Sequence, residues 1–183
     1  MLAKRCKSRV GALSFTCGLV AIVSLARSPI LGQSLLGIGH LTLNGGKFIV
    51  DYDDHKWRLV NHEDAWHYTL RHHSGKGIVM VFAEAEGAPF REDSIPYAAL
   101  AETRSEDPNA RIVFQEKRLV HGVQMWCIKI EANIKAVPVA FYGYYYGGKV
   151  GTVRVITFVE KEDQKKSLER DFTSFLNGLR VEE

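Results

Sequence analysis

At 183 residues, with 46% apolar and 25% charged side chains, the chain supports one ordinary core and falls outside the collagen-like, disordered and multi-span membrane classes. Its formal net charge of +3 invites a nucleic-acid reading, but Lys4, Arg5, Lys7 and Arg9 carry that excess within the first 26 residues, where no acid stands. The remainder holds 20 basic against 21 acidic side chains, so counterion release along a nucleic-acid backbone has no charge excess to draw on, and no nucleic-acid partner is expected.

The basic stretch MLAKRCKSR precedes an uncharged apolar run from Val10 to Ala26, after which come Arg27, Ser28 and Pro29. That is the layout of a signal peptide. Ser24 and Ala26 suit cleavage after Ala26, and Gly32 ahead of Gln33 is a second candidate. An uncleaved membrane anchor is the rival, since 17 residues at about 1.5 Å each span roughly 25 Å against a hydrocarbon core of about 30 Å; a buried core helix is the third reading. Either of the first two places the folded part outside the cytosol, periplasmic or secreted, and touches a membrane only through the leader. Cys6 and Cys17 lie in the leader, which leaves Cys127 alone and excludes an internal disulfide. Within VQMWCI, Cys127 reads as a small buried apolar residue.

The organisation expected is residues 1–26 as signal peptide or anchor, 27–46 as a tether and 47–183 as a single α+β domain. Gly-containing pairs punctuate short β-branched and aromatic runs, the mark of hairpins. Asn44-Gly45-Gly46 joins strands at 40–43 and 47–52, and a further strand contains Trp57. Ser74-Gly75-Lys76-Gly77 separates strands at 65–73 and 77–85, the second apolar on both alternating faces and therefore covered on both sides. A helix begins near Ser94, with Pro96 in its first turn, and ends before Pro108. His121-Gly122 then divides strands at 111–120 and 123–132, and Gly147-Gly148 divides 137–146 from 149–159. A last helix over 162–177 gathers Leu168, Phe172, Phe175, Leu176 and Leu179 on one face, with Asn177 at its cap and Gly178 as its stop. The sum is an antiparallel meander flanked by helices.

Candidate chemistry fails on geometry. His55, His62, His67, His72 and His73 crowd together, but on a strand over 65–73 His67 and His73 face outward about 20 Å apart, with Trp66, Tyr68 and Leu70 toward the core, so one zinc ion cannot join the two. Asp51, Asp53 and Asp54 resemble a calcium loop only until Lys56 and His62 fall where Gly and Glu are needed. Cys127 and His121 lie far apart on one strand, and Glu84 with Glu86 gives no cleft-spanning carboxylate pair. No catalytic, metal or cofactor residue is expected. The segment Phe141 to Gly148 puts Phe141 and Tyr145 on one face and Tyr142, Tyr144 and Tyr146 on the other. That tyrosine ladder either packs under a helix with its hydroxyls at the edge or forms a platform for a partner.

FIVDYDDHKWRLV, VFQEKRLVHG, FYGYYYGG, GTVRVITF and DFTSFLNGL together resemble an uncharacterised family of exported bacterial proteins, over about Lys47 to Val181. The layout also looks like the broader PsbP-like fold, an α/β/α sandwich named for an extrinsic photosystem protein. No photosystem-binding segment accompanies it, so no photosynthetic role follows. The resemblance implies a non-catalytic binding or assembly factor. The reading is a non-enzymatic extracytoplasmic module for a protein or cell-envelope component, with Tyr142, Tyr144, Tyr146, Trp57 and His67 as candidate partner-binding residues. The alternative is a small ligand-binding protein or enzyme whose pocket is lined by Trp57, His62, His67 and the ladder. Mass spectrometry of the native N-terminus tests the leader: the expected chain begins at Arg27 or Gln33, and a retained Met1 rules out cleavage and leaves the anchor or the buried core helix.

Overall fold

The computed structural model describes residues 37–64, 67–84, 92–160 and 166–182. The expected signal or anchor helix over 1–26 lies outside them. β1 (Ile38–Leu43), β2 (Phe48–Asp53), β3 (Trp57–Asp64), β4 (His67–His72) and β5 (Gly77–Glu84) lead to α1 (Ile95–Glu106). β6 (Arg111–Val120), β7 (Val123–Ile134), β8 (Val137–Gly148) and β9 (Gly151–Glu160) follow, then α2 (Lys166–Leu176) and β10 (Leu179–Val181).

Every pairing is antiparallel, but the strands do not form one meander. β6 to β9 run in sequence, whereas β5 pairs with β9, giving a seven-stranded sheet of order β3-β4-β5-β9-β8-β7-β6 with α1 as the crossover. β1 and β2 leave that sheet and form a three-stranded one with β10. The expected meander is corrected at these two points. β10 went unread because Leu179 continues the apolar spacing of α2; its side chain is buried through strand pairing opposite Val50 instead.

Two apolar layers result. On one face of the large sheet, α2 and the small sheet cover Leu70, Val79, Val81, Cys127, Tyr144, Val153 and Val155, burying Phe172, Phe175 and Leu176 against them. On the other, Ile95 and Ala99 of α1 cap Ile128, Ile130, Val139 and Tyr145. A helix lies on each face. β5 shows how unequal the cover is: Val79 and Val81 are fully buried, whereas Ile78, Met80 and Phe82 on its other row are half-buried, because α1 sits over β7 and β6. Full cover on both sides was expected of that strand.

Local chemistry explains the boundaries. His121 and Gly122 have φ of 48° and 83°, the positive values a tight hairpin turn needs. Lys135 and Ala136, at 51° and 66°, make the β7–β8 turn without glycine, which is why its position carried no signal. The β8–β9 turn falls at Lys149 and Val150, two residues later than expected, leaving Gly147 and Gly148 in the strand. Gly148 is there because the Tyr146 hydroxyl lies over it, 2.1 Å from where a Cβ would stand. α1 starts after Ser94 as expected, yet Ser94 makes no capping bond, since a 3-10 turn at Glu92–Ser94 runs straight into the helix. Its end is fixed by Asp107, extended ahead of Pro108. The buried Asp107 carboxylate accepts the backbone N–H groups of Asn109 at 2.9 Å and Asn133 at 2.7 Å.

Gly178 ends α2 by close approach. Its carbonyl accepts the Asp51 N–H at 3.0 Å, and a Cβ there would stand 1.8 Å from the Asp51 carbonyl oxygen. Gly178→Ala therefore lowers stability by about 2 kcal/mol or more. Ala136→Gly relieves left-handed strain and raises it by about 1 kcal/mol. Urea denaturation of both variants checks the opposite signs, with the slope unchanged.

Candidate functional site

The ladder takes the faces its alternation dictates, because β8 is a regular strand with Tyr142, Tyr144 and Tyr146 opposite Thr157, Val155 and Val153 of β9. Tyr146 is buried with its ring edge against Phe48 of the small sheet, centroids 6.1 Å apart. Tyr144 is fully buried, and Tyr142, 6.4 Å from it, is half-buried at the open end of the ladder. The apolar bodies therefore join the core while two hydroxyls reach a polar edge.

Arg118 on the edge strand β6 organises that edge. Its guanidinium donates to the Tyr144 hydroxyl at 2.8 Å and to the Tyr142 hydroxyl at 3.3 Å, and binds the Glu116 carboxylate through two nitrogens. It also lies over the Tyr144 ring, 5.7 Å from the centroid. The Tyr144 hydroxyl in turn donates to Asn177 Oδ1 at 2.9 Å. His121 Nε2 approaches the Asn177 carbonyl at 2.7 Å, so the β6–β7 turn and the end of α2 meet at one residue. The Cys127 thiol donates to the Tyr142 hydroxyl at 3.2 Å. Phe114 stands beside the group, 41% exposed and opposite Lys129, which in turn pairs with Tyr142 across β7 and β8.

Electrostatics keep the tyrosines and the thiol protonated and Arg118 charged at neutral pH. Burial, together with the neighbouring thiol, pushes the Tyr142 hydroxyl well up. Burial also raises Tyr144, Tyr145 and the Cys127 thiol, outweighing the Arg118 charge near Tyr144 and Cys127. Burial opposes the Arg118 charge, but its bonds to Tyr144 and Glu116 more than offset that and raise it.

The other candidates do not join this group. Trp57 is 2% exposed, stacked on Phe172 at 5.6 Å and edge-on to Phe175 and His72. It is a core residue under α2, which corrects its expected place on a binding surface. His67 lies flat on Phe82, centroids 4.4 Å apart. Phe82 packs against the layer under α1, on the sheet face opposite the ladder, so Trp57, His67 and the tyrosines do not line a common pocket. His67 was expected to face solvent, and the Phe82 ring covers it instead. The side chain of His62, and the whole of Trp66 and Glu86, lie outside the described residues. His72 is wedged between Trp57 and Asp171 and is only 14% exposed. Open hollows of about 550 and 750 Å³ run along the outer side of α2, the first lined by Lys56, Arg170, Asp171 and Ser174, the second by Lys166, Glu169, Arg170 and Thr173.

The sequence missed Arg118 and Asn177. Arg118 could have been found from the hairpin register, since a turn at His121-Gly122 sets it opposite Met125, one strand from the ladder. Asn177 could not, because its position depends on how α2 seats.

The same architecture occurs in solved structures. Cyanobacterial PsbP from Synechocystis sp. PCC 6803, solved in solution, aligns with a TM-score of 0.57 and 10% identity over 85% of this chain and 98% of its own. The Ran-binding protein Mog1p of Saccharomyces cerevisiae aligns at 0.55 and 8% identity, over 79% of this chain and 95% of its own. No protein-family model and no curated protein sequence matches the chain. The chain has a PsbP-like fold, and identities this low carry the fold alone.

A pH effect follows from the raised acids. A group whose folded pKa lies above its unfolded value holds its proton more tightly when folded. Its stabilisation is complete below the unfolded pKa and is lost as pH rises past it. For Cys127 and Tyr142 the ordinary values are 9.0 and 10.0. The urea midpoint is therefore expected to hold to about pH 9 and to fall increasingly beyond pH 10, and Tyr142→Phe is expected to flatten that fall.

Proposed function

We propose that this chain is a non-enzymatic, extracytoplasmic binding or assembly module that engages a protein of the cell envelope through the open end of the tyrosine ladder. The observation that carries the reading is the pinned Arg118: its guanidinium is held by two tyrosine hydroxyls and Glu116 beside the exposed Phe114 and the half-buried Tyr142. Arg, Tyr and Phe are side chains that anchor protein interfaces, and anchors fixed before binding lose little conformational freedom on contact.

Two further points favour binding over chemistry. A general acid or base works best near neutral pKa, and here the tyrosines and the thiol are pushed away from it. A raised thiol is also a poor nucleophile, since the thiolate is the reactive form. Mog1p, which shares the fold, is described as binding a protein, Ran. Export rests on the leader read from residues 1–26; among the described residues no helix is long and apolar enough to cross a membrane.

A photo-crosslinking residue placed at Phe114 in the native envelope tests the reading, with the same residue at Tyr97 on α1, 77% exposed, as the control. The expected result is one stoichiometric adduct from position 114, reduced about tenfold by Arg118→Ala and absent from position 97. Equal capture at both positions, or capture indifferent to Arg118, removes the ladder from the proposal.

A further inference from the structure

Arg58 on β3 and Arg71 on β4 occupy directly opposite positions in the antiparallel ladder. Their neighbours Trp57 and His72, also a cross-strand pair, turn toward α2, so alternation sends both arginines to the other face. Like charges directly opposite destabilise a sheet. Neither arginine side chain has an ion pair or hydrogen bond with any described residue, although elsewhere Arg111 meets Glu131, Arg154 meets Glu102 and Arg180 meets Asp51. Arg71 Nε is shut off from solvent with no acceptor, an arrangement that leaves a desolvated donor without compensation. Arg58 is exposed, so the pair is open on one side and walled on the other.

A locally unfavourable arrangement that no described neighbour compensates marks a place where an outside group is expected. The missing group must be an oxygen acceptor of negative charge, able to face two planar donor forks at once. A tetrahedral phosphate matches this: it offers oxygens in several directions, and guanidinium forks take them in pairs. α1 leaves this part of the sheet face uncovered, and Arg71 pairs with the half-buried Ile78 of β5. An apolar neighbour strengthens the attraction by thinning the water around it.

We propose that Arg58 and Arg71 form an anion site for a phosphate group, either free in solution or on a lipid headgroup, on the sheet face opposite the tyrosine ladder. The site stands apart from the protein-docking reading, and each can fail alone.

The test uses the full chain with Arg58→Gln, Arg71→Gln and the double variant. Thermal melts with increasing inorganic phosphate, at ionic strength held constant with chloride, report the free anion. Sedimentation with phosphatidylglycerol vesicles against phosphatidylcholine vesicles reports the headgroup, and since every variant carries the same basic leader, only the difference between variants is read. Binding of at least one probe, weakened about tenfold by either single substitution, supports the site, and the probe that responds identifies the source. Relief of like-charge repulsion also predicts that Arg58→Gln melts about 1–3 °C higher in chloride alone. The proposal is overturned if neither probe binds, if binding is the same in the double variant, or if Arg58→Gln melts lower without phosphate.

Discussion

The seat of α2 on the large sheet is the constraint from which the rest of the structure follows. Trp57 is enclosed there by Phe172, Phe175 and His72, and Tyr52 of the small sheet stacks on Phe175 at 5.6 Å. One aromatic cluster thus joins a helix, an edge strand of one sheet and the central strand of another. At the sheet edge, Asp171 takes Lys56 at 2.7 Å and approaches His72 Nε2 at 3.3 Å, which fixes the rotation of α2 about its axis. Burial supplies the larger share of the energy, and the charged contacts set the register.

That seat determines what happens at residues 177 and 178. With α2 in place, Gly178 meets the backbone of Asp51 and sends the chain into β10 beside β2, which completes the small sheet over Phe48 and Val50. One residue earlier, Asn177 is delivered to Tyr144 and His121. The polar edge of the ladder is therefore positioned by the same junction that closes the core. Its rigidity is borrowed from packing: the rings of Tyr144 and Tyr146 cannot move without disturbing the layer beneath α2, so Arg118 finds its acceptors in fixed places.

The parts of this arrangement that were legible in the sequence are those decided locally. The hairpins showed through glycine pairs, α2 through the spacing of Leu168, Phe172, Phe175 and Leu176, and the two faces of β8 through simple alternation. Turns made by ordinary residues, such as Lys135 and Ala136, gave no signal. Long-range choices were equally silent: β5 has the same apolar alternation whether it pairs with β6 or with β9, and three residues of β10 are too few to show a period of two. Trp57 illustrates the limit for a site. A tryptophan on a strand reads the same whether a helix lies over it or solvent does, and only the packing of α2 decides.

Charge makes the same point in a sharper form. After the leader, acids and bases nearly cancel, and composition alone argues against an anion-binding surface. Cancellation in the sum, however, says nothing about where each pair closes. Lys117 reaches Glu92, Lys56 reaches Asp171, and Arg118 reaches Glu116, each across a different part of the surface. Because these acids close on other bases, the strand register that brings Arg58 opposite Arg71 leaves a local excess among the described residues, and a distant acid does not disperse it, since the Coulomb interaction of exposed charges fades within about 10 Å. A neutral domain can hold a basic site for the same reason that an apolar core can hold a hydroxyl: the energy is set by the nearest few partners.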